Sequence, residues 1–204
     1  MTEREARLRA VCENPDDDTP RLVLADWLQE NGDEPRAEFI RVQVEQSRLK
    51  PGTVPDWKCY SRARKLFTSH GRAWEQQIVA NDEFRWDEFV RGFAEGVAVT
   101  SIATFKDFAK PIFSRTPLTK LLICQPLRLS ELCSVPRVLR LSILTVTAGL
   151  KTTPDDARVF LDAAGEDGPT ILVFEDRIWN PEVERLLTER FGGRLMLPED
   201  DVAE

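Results

Sequence analysis

The hydrophobic period of this 204-residue chain changes once, near residue 90, and that change constrains the fold more than any single motif. Before it, apolar residues recur every three or four positions between helix start and stop signals; after it, short alternating runs appear at intervals, the mark of strands. Thr2 and Glu5 have capping-box spacing ahead of Leu8, Val11 and Cys12, and Asn14-Pro15 stops that first helix. Asp16 to Thr19 cap a second helix with Pro20 in its first turn, Val23/Trp27 and Leu24/Leu28 pair at i,i+4, and Gly32 ends it. A third runs from Pro35 to about Leu49 on Ala37, Phe39, Ile40, Val42 and Val44, and stops at Pro51-Gly52. From Asp56 through Trp57, Ala63, Leu66, Phe67, Trp74, Ile78 and Val79 the pattern predicts one helical hairpin, interrupted at His70-Gly71.

Beyond residue 90, Val97/Val99, Leu121/Ile123, Leu141/Ile143 and Ile171/Val173 predict four strands whose first residues lie 24, 20 and 30 apart. That is near the period of roughly 20 to 29 residues at which leucine-rich repeats stack one strand and one helix or turn each. Helical segments alternate with the strands: Phe105 to Phe113, a short turn over Leu129 to Val135, and Pro154 to Ala164 capped by Thr153 with Val159, Phe160 and Leu161 inward. Asn180-Pro181 opens a last helix with Val183, Leu186, Leu187 and Phe191 as its stripe, and Arg194 to Leu197 follow Gly192-Gly193 as a candidate closing strand.

Composition removes several classes of function. With 42% hydrophobic and 31% charged residues the chain makes one large or two small globular domains, and is neither disordered nor collagen-like. Its longest apolar runs are four residues, as in Leu121 to Cys124 and Ile171 to Phe174, against roughly 18 for a bilayer span, so no membrane partner is expected. No apolar stretch follows Met1 to Glu5, so a cytoplasmic location is the expectation. One histidine cannot build a zinc site with two imidazoles, and Cys12, Cys59, Cys124 and Cys133 contain no Cys-x-x-Cys. Neither metal nor cofactor is expected; the cysteines read as reduced and mostly buried, with a Cys124–Cys133 pairing as the alternative. A net charge of -7 argues against nucleic acid. The local exception is Arg62, Arg64, Lys65 and Arg72 near Trp57, Tyr60 and Trp74, a mixture that single-strand platforms use but that more simply makes a solvated or ion-paired face.

One motif is long enough to carry a resemblance. Asp16-Asp17-Asp18-Thr19-Pro20-Arg21-Leu22-Val23-Leu24-Ala25-Asp26-Trp27-Leu28-Gln29-Glu30-Asn31-Gly32-Asp33, followed by Arg36-Ala37-Glu38-Phe39-Ile40-Arg41-Val42-Gln43, resembles the bacterial repeat-companion domain. His70-Gly71-x-x-Trp74 and Phe89-x-Arg91-Gly92-Phe93-x-Glu95-x-Val97 are similar to two further elements of that family, in the same order. The resemblance covers about residues 5 to 100 and implies that leucine-rich repeats follow. No strand here is followed by the Asn of an asparagine ladder, so the repeat half is short and degenerate. The expected fold is α/β (α+β): a helical repeat-companion domain over 1–90 packed on a leucine-rich-repeat-like strand/helix solenoid over 91–197, with an acidic tail at 198–204. The resemblance implies an association module and supplies no catalytic residue.

The individual residues agree with a binding role. Arg21, Asp26, Glu30, Arg36, Glu38 and Arg41 crowd the motif as general acid–base work would need, yet no nucleophile accompanies them. Antiparallel second and third helices would instead pair Asp26 with Arg41 or Arg21 with Glu38, which fixes their register. Trp27 and Trp74 read as core, His70 as a helix C-cap, and Arg91-Gly92-Phe93 as the turn from helix into strand. Gly92-x-x-x-Gly96 lacks the ending of a phosphate loop. If Val97, Val99, Leu121, Ile123, Leu141, Ile143, Ile171 and Val173 face the helices, alternation puts Leu122, Leu144, Leu172 and Phe174 on a second, apolar sheet face. Those four are the expected anchors of a protein partner. The alternatives are a small hydrolase-like enzyme with a carboxylate/Arg pocket near helices two and three, and a nucleic-acid accessory protein using the Arg62 to Arg72 face.

Overall fold

The computed structural model describes residues 2–87, 89–147, 149–166, 168–178 and 180–198, so the predicted acidic tail lies outside the described residues beyond Pro198. Among these the chain is mixed α/β, with eight α-helices and a mostly parallel six-stranded sheet. It divides into two compact units, one of Met1–Asp82, Trp86–Glu95 and Lys110–Leu118, the other of Glu83–Arg85, Gly96–Ala109 and Thr119–Glu204.

The first unit is built from helices whose ends the sequence signals fix. Helix α1 (Glu3–Glu13) has the Thr2/Glu5 capping box, α2 (Asp18–Glu30) is capped by Asp17, and α3 (Glu34–Ser47) by Asp33. Gly32 takes a φ of +85° in the short turn that brings α3 back along α2, where Arg48 reaches Asp18 and Arg41 reaches Asp26. Leu8, Val11, Leu24, Ala25, Leu28, Ala37, Ile40 and Val44 bury the faces these helices share.

Helix α4 (Val54–Ile78) runs through His70-Gly71 without a break, which corrects the predicted hairpin. Gly71 serves close approach: a Cβ there would lie 2.8 Å from the Phe67 ring. That ring packs in a cluster with Phe39, Trp74 and Phe89, Phe39 and Trp74 at 4.7 Å between centroids and Phe67 and Phe89 at 5.0 Å. His70 stacks on Trp74 at 5.7 Å instead of capping a helix.

Strand β1 (Phe84–Trp86) is followed by a hairpin that the periodicity did not show, β2 (Phe89–Val90) against β3 (Phe93–Ala94). Its two turn residues, Arg91 and Gly92, both have positive φ (47° and 89°), the signature of a type I′ turn.

The second unit alternates strands with helices: β4 (Gly96–Val99), α5 (Ile102–Arg115, of which 102–109 belong here), β5 (Lys120–Ile123), α6 (Leu129–Leu132), a 3-10 turn (Pro136–Arg140) and β6 (Ile143–Val146). Then come α7 (Pro154–Ala164), β7 (Ile171–Phe174), α8 (Pro181–Phe191) and β8 (Leu195–Met196). The sheet order is β1-β4-β5-β6-β7-β8, and from β4 to β8 every neighbouring pair is parallel. Val97, Leu121, Leu144, Leu172 and Leu195 are register partners, spaced 24, 23, 28 and 23 residues apart.

That register corrects the assignment of faces. Leu144 and Leu172 are fully buried and Phe174 nearly so, in the same rows as Leu121 and Ile123. Ile143, Ile171 and Val173, expected inside, are half-exposed and share the other face with Leu122. The inward residues of β6 and β7 are Leu144, Val146, Leu172 and Phe174, one position on from those expected, and a slip of one residue moves every side chain of a strand to the opposite face. Val159 on α7 is likewise exposed where an inward side chain was expected, while its neighbour Phe160 is buried.

Candidate functional site

The densest polar constellation lies in the first unit, around Arg21. Its side chain is fully buried at the start of α2 because the β2–β3 hairpin closes over it. One guanidinium nitrogen donates to the carbonyl of Pro15 (2.7 Å) and the carboxylate of Glu95 (2.8 Å), the other to the carbonyl of Arg91 (3.2 Å). The Phe93 ring lies 5.3 Å away. Burial pulls the Arg21 guanidinium below its ordinary value, with Glu95 opposing. Arg91 holds the same loop from the hairpin side through the carbonyls of Pro15 (2.9 Å) and Asp16 (3.2 Å). Gln43 clamps the turn from α3, donating to the Phe89 carbonyl at 2.7 Å and accepting from the Gly92 N–H at 2.8 Å. With its carbonyls and carboxylate engaged, this array pins a hairpin to two helices.

Three other acids and bases of the motif, Asp26, Glu38 and Arg41, are paired nearer the surface. Asp26 accepts from Arg41 at 2.7 Å, as antiparallel packing predicts. The other expected pair is corrected: Arg21 goes to Glu95, 74 residues on, and Glu38 takes Arg62 of α4 at 2.5 and 2.6 Å. That contact holds the Glu38 carboxyl below its usual range. Trp27 is half-buried against the helix core and not fully inside it; Trp74 is buried. On the basic face of α4, Arg62 is taken by Glu38 and Arg72 by Asp82, which leaves Arg64 and Lys65 beside the exposed Trp57 and its partner ring Tyr60. Half of the proposed phosphate-contacting charge is thus neutralised within the protein.

The second unit carries an ordered, partly exposed apolar surface on its sheet. Register places Ala98, Leu122, Thr145, Val173 and Met196 in one row across five strands, beside Lys120, Ile143 and Ile171 in the next. Met196 is 54% exposed, Lys120 is exposed, and Ala98, Leu122, Ile143, Thr145, Ile171 and Val173 are half-exposed. Of the four predicted anchors only Leu122 lies here. Ile143, Ile171, Val173 and Met196 were missed, although two polar markers in the sequence carry the parity: Thr145 faces out in β6, and the exposed Glu175 just after β7 puts Val173 and Ile171 on its own side.

No disulfide joins the four cysteines among the described residues, and each is half-buried. Among the same residues there is no cluster of three or more metal-ligating side chains and no helix long and apolar enough to cross a membrane. No protein-family model matches the chain, and neither a curated protein nor a solved structure is similar to it.

Proposed function

We propose that this chain is a non-catalytic interaction module, an adaptor or a subunit of a larger assembly in the cytoplasm, that docks a protein partner on the half-exposed face of its parallel sheet. The observation that carries the reading is the apolar patch of Leu122, Ile143, Ile171, Val173 and Met196, spread over two adjacent rows of four strands, with Thr145 set between Leu122 and Val173 and Lys120 beside Ile143. Contiguous apolar surface with a polar rim is the usual anatomy of a docking patch.

The reading extends to architecture. Strands that follow chain order at intervals of 23 to 28 residues support a short, degenerate leucine-rich-repeat-like solenoid, and the intervals are more even than those of the apolar pairs in the sequence. The closure of the Phe89 to Glu95 hairpin over Arg21 gives the repeat-companion motif a structural task, which supports the resemblance without assigning catalysis.

The test compares cross-linked pull-downs from native cells for the wild type, an Ile171→Asp/Val173→Asp double variant and a Val159→Asp control, since Val159 is an exposed apolar residue on α7, away from the sheet face. The expected result is one stoichiometric protein partner held by wild type and control and lost by the double variant, whose circular dichroism stays native. Capture that survives the double variant, or loss in all three, would sink the sheet-face reading.

A further inference from the structure

One guanidinium of the first unit, that of Arg36, has no anion among the described residues. Arg36, in the first turn of α3, lies over the Trp74 ring at 4.6 Å, with Phe93 at 5.3 Å and Phe89 at 5.4 Å. Its Nη1 is buried and has no hydrogen-bond partner, and no ion pair of the Arg36 side chain exists among the described residues. Asp33 lends it some counter-charge, yet the Asp33 carboxylate is turned to the backbone N–H of Arg36 as the helix cap, at 3.3 Å. Burial accordingly pulls this guanidinium well below its ordinary value. A guanidinium whose Nη1 is fully inside with only rings around it is an uncommon arrangement, because desolvated charge is costly unless an opposite charge meets it.

Arg36 lines a partly open cavity of about 40 Å³, room for a carboxylate and its first carbons with the rest of a ligand at the mouth. Arg4, Gln77 and Arg115 also line it. Two of these are already engaged: Arg4 donates to Gln77 Oε1 at 2.9 Å, and Arg115 to the carbonyls of Ile78 (2.9 Å) and Gln77 (3.3 Å). They contribute positive potential beside the half-buried Arg36 side chain, which no ion pair of the described residues engages. The rest of the lining includes Leu8, Leu24, Leu28 and Ile78, which are apolar and buried.

We infer that this cavity binds a carboxylate carrying a short aliphatic tail, with the carboxylate on Arg36 and the tail against the leucines. The guanidinium fork matches a carboxylate in plane, and a charge-assisted bond forms at little reorganisation because the rings already hold Arg36 in place. The carboxylate has two possible sources, a free short-chain acid or the C-terminal residue of another polypeptide. This site lies in the first unit and does not depend on the sheet-face reading.

The experiment titrates the full chain, by calorimetry at constant ionic strength set with chloride, with sodium butyrate, N-acetyl-leucine and N-acetyl-leucinamide. Saturable binding of butyrate is expected if the ligand is a free acid; binding of N-acetyl-leucine but not of butyrate or the amide assigns the site to a chain end. In either case Arg36→Met should weaken binding by about tenfold or more while the circular dichroism stays native. Arg4→Gln, at an exposed position, should weaken it by about threefold and serves as the reading if Arg36→Met does not fold. No saturable binding of either acid, equal binding of acid and amide, or affinities unchanged in the readable variant would overturn the proposal.

Discussion

Gly92 shows how much one residue can decide. Its φ of +89° lies where side chains strain the backbone, and a Cβ would also fall 2.5 Å from Cγ1 of Ile40 on α3, a buried residue. Gly32 has nearly the same φ, +85°, with nothing within 4 Å of the added carbon. Gly92→Ala is therefore expected to cost about 3 kcal/mol or more and Gly32→Ala about 1, the difference being the clash, read from urea melts. Arg21 is the other decisive position. Arg21→Met leaves the Glu95 carboxylate its longer Arg91 contact at 3.4 Å in place of the 2.8 Å one and should destabilise by about 3 kcal/mol, and Arg21→Lys should recover only part because an ammonium cannot span the Pro15, Arg91 and Glu95 oxygens together. Residue-scale pairing was legible where partners sit on adjacent helices, as with Asp26 and Arg41. Arg21 with Glu95 was not, because no local pattern points 74 residues along the chain.

Among the elements, helix ends were the most readable feature, since caps are local chemistry. Thr2, Asp17, Asp33, Thr153 and Asn180 all act as the N-caps their types imply. Gly71 was misread for a physical reason: a glycine within a helix can mark either a stop or a close approach, and only the Phe67 ring decides between them. Strand parity was misread because apolar residues occupy both faces, so alternation alone gives two solutions. The correction is testable as a contrast. Leu172→Ala should cost about 2–5 kcal/mol, whereas Val173→Ala, next to it on the open face, should cost under about 1.5. The α7 cap adds a dependence on pH. The Ser130 hydroxyl, then Thr153, hold the Asp156 carboxyl below its ordinary value. A carboxylate with a depressed folded-state value stabilises above the unfolded value and loses that contribution as pH falls through the folded one. The wild-type melting temperature should therefore drop more between about pH 5 and about pH 3 than that of Asp156→Asn.

At the scale of the whole molecule, the switch of hydrophobic period near residue 90 was enough to give the mixed α/β class, while the parallel order of the six-stranded sheet is seen only in the structure. The short β2–β3 hairpin escaped it, since two-residue strands carry no alternation to detect. The Arg36 cavity escaped it too, because its lining comes from α1, α2, α3, α4, β3 and α5, and nothing in one dimension shows which arginine of many lacks a partner.

The strand order has a consequence for how the protein is made. Because β1, β4, β5, β6, β7 and β8 lie side by side in the order of the sequence, each strand leaving the ribosome finds its earlier neighbour already synthesised, and none has to wait for a strand yet to come. The growing sheet edge is then always the newest strand, and the two edges of the described sheet are short, β1 with three residues and β8 with just two for a stray chain to pair with.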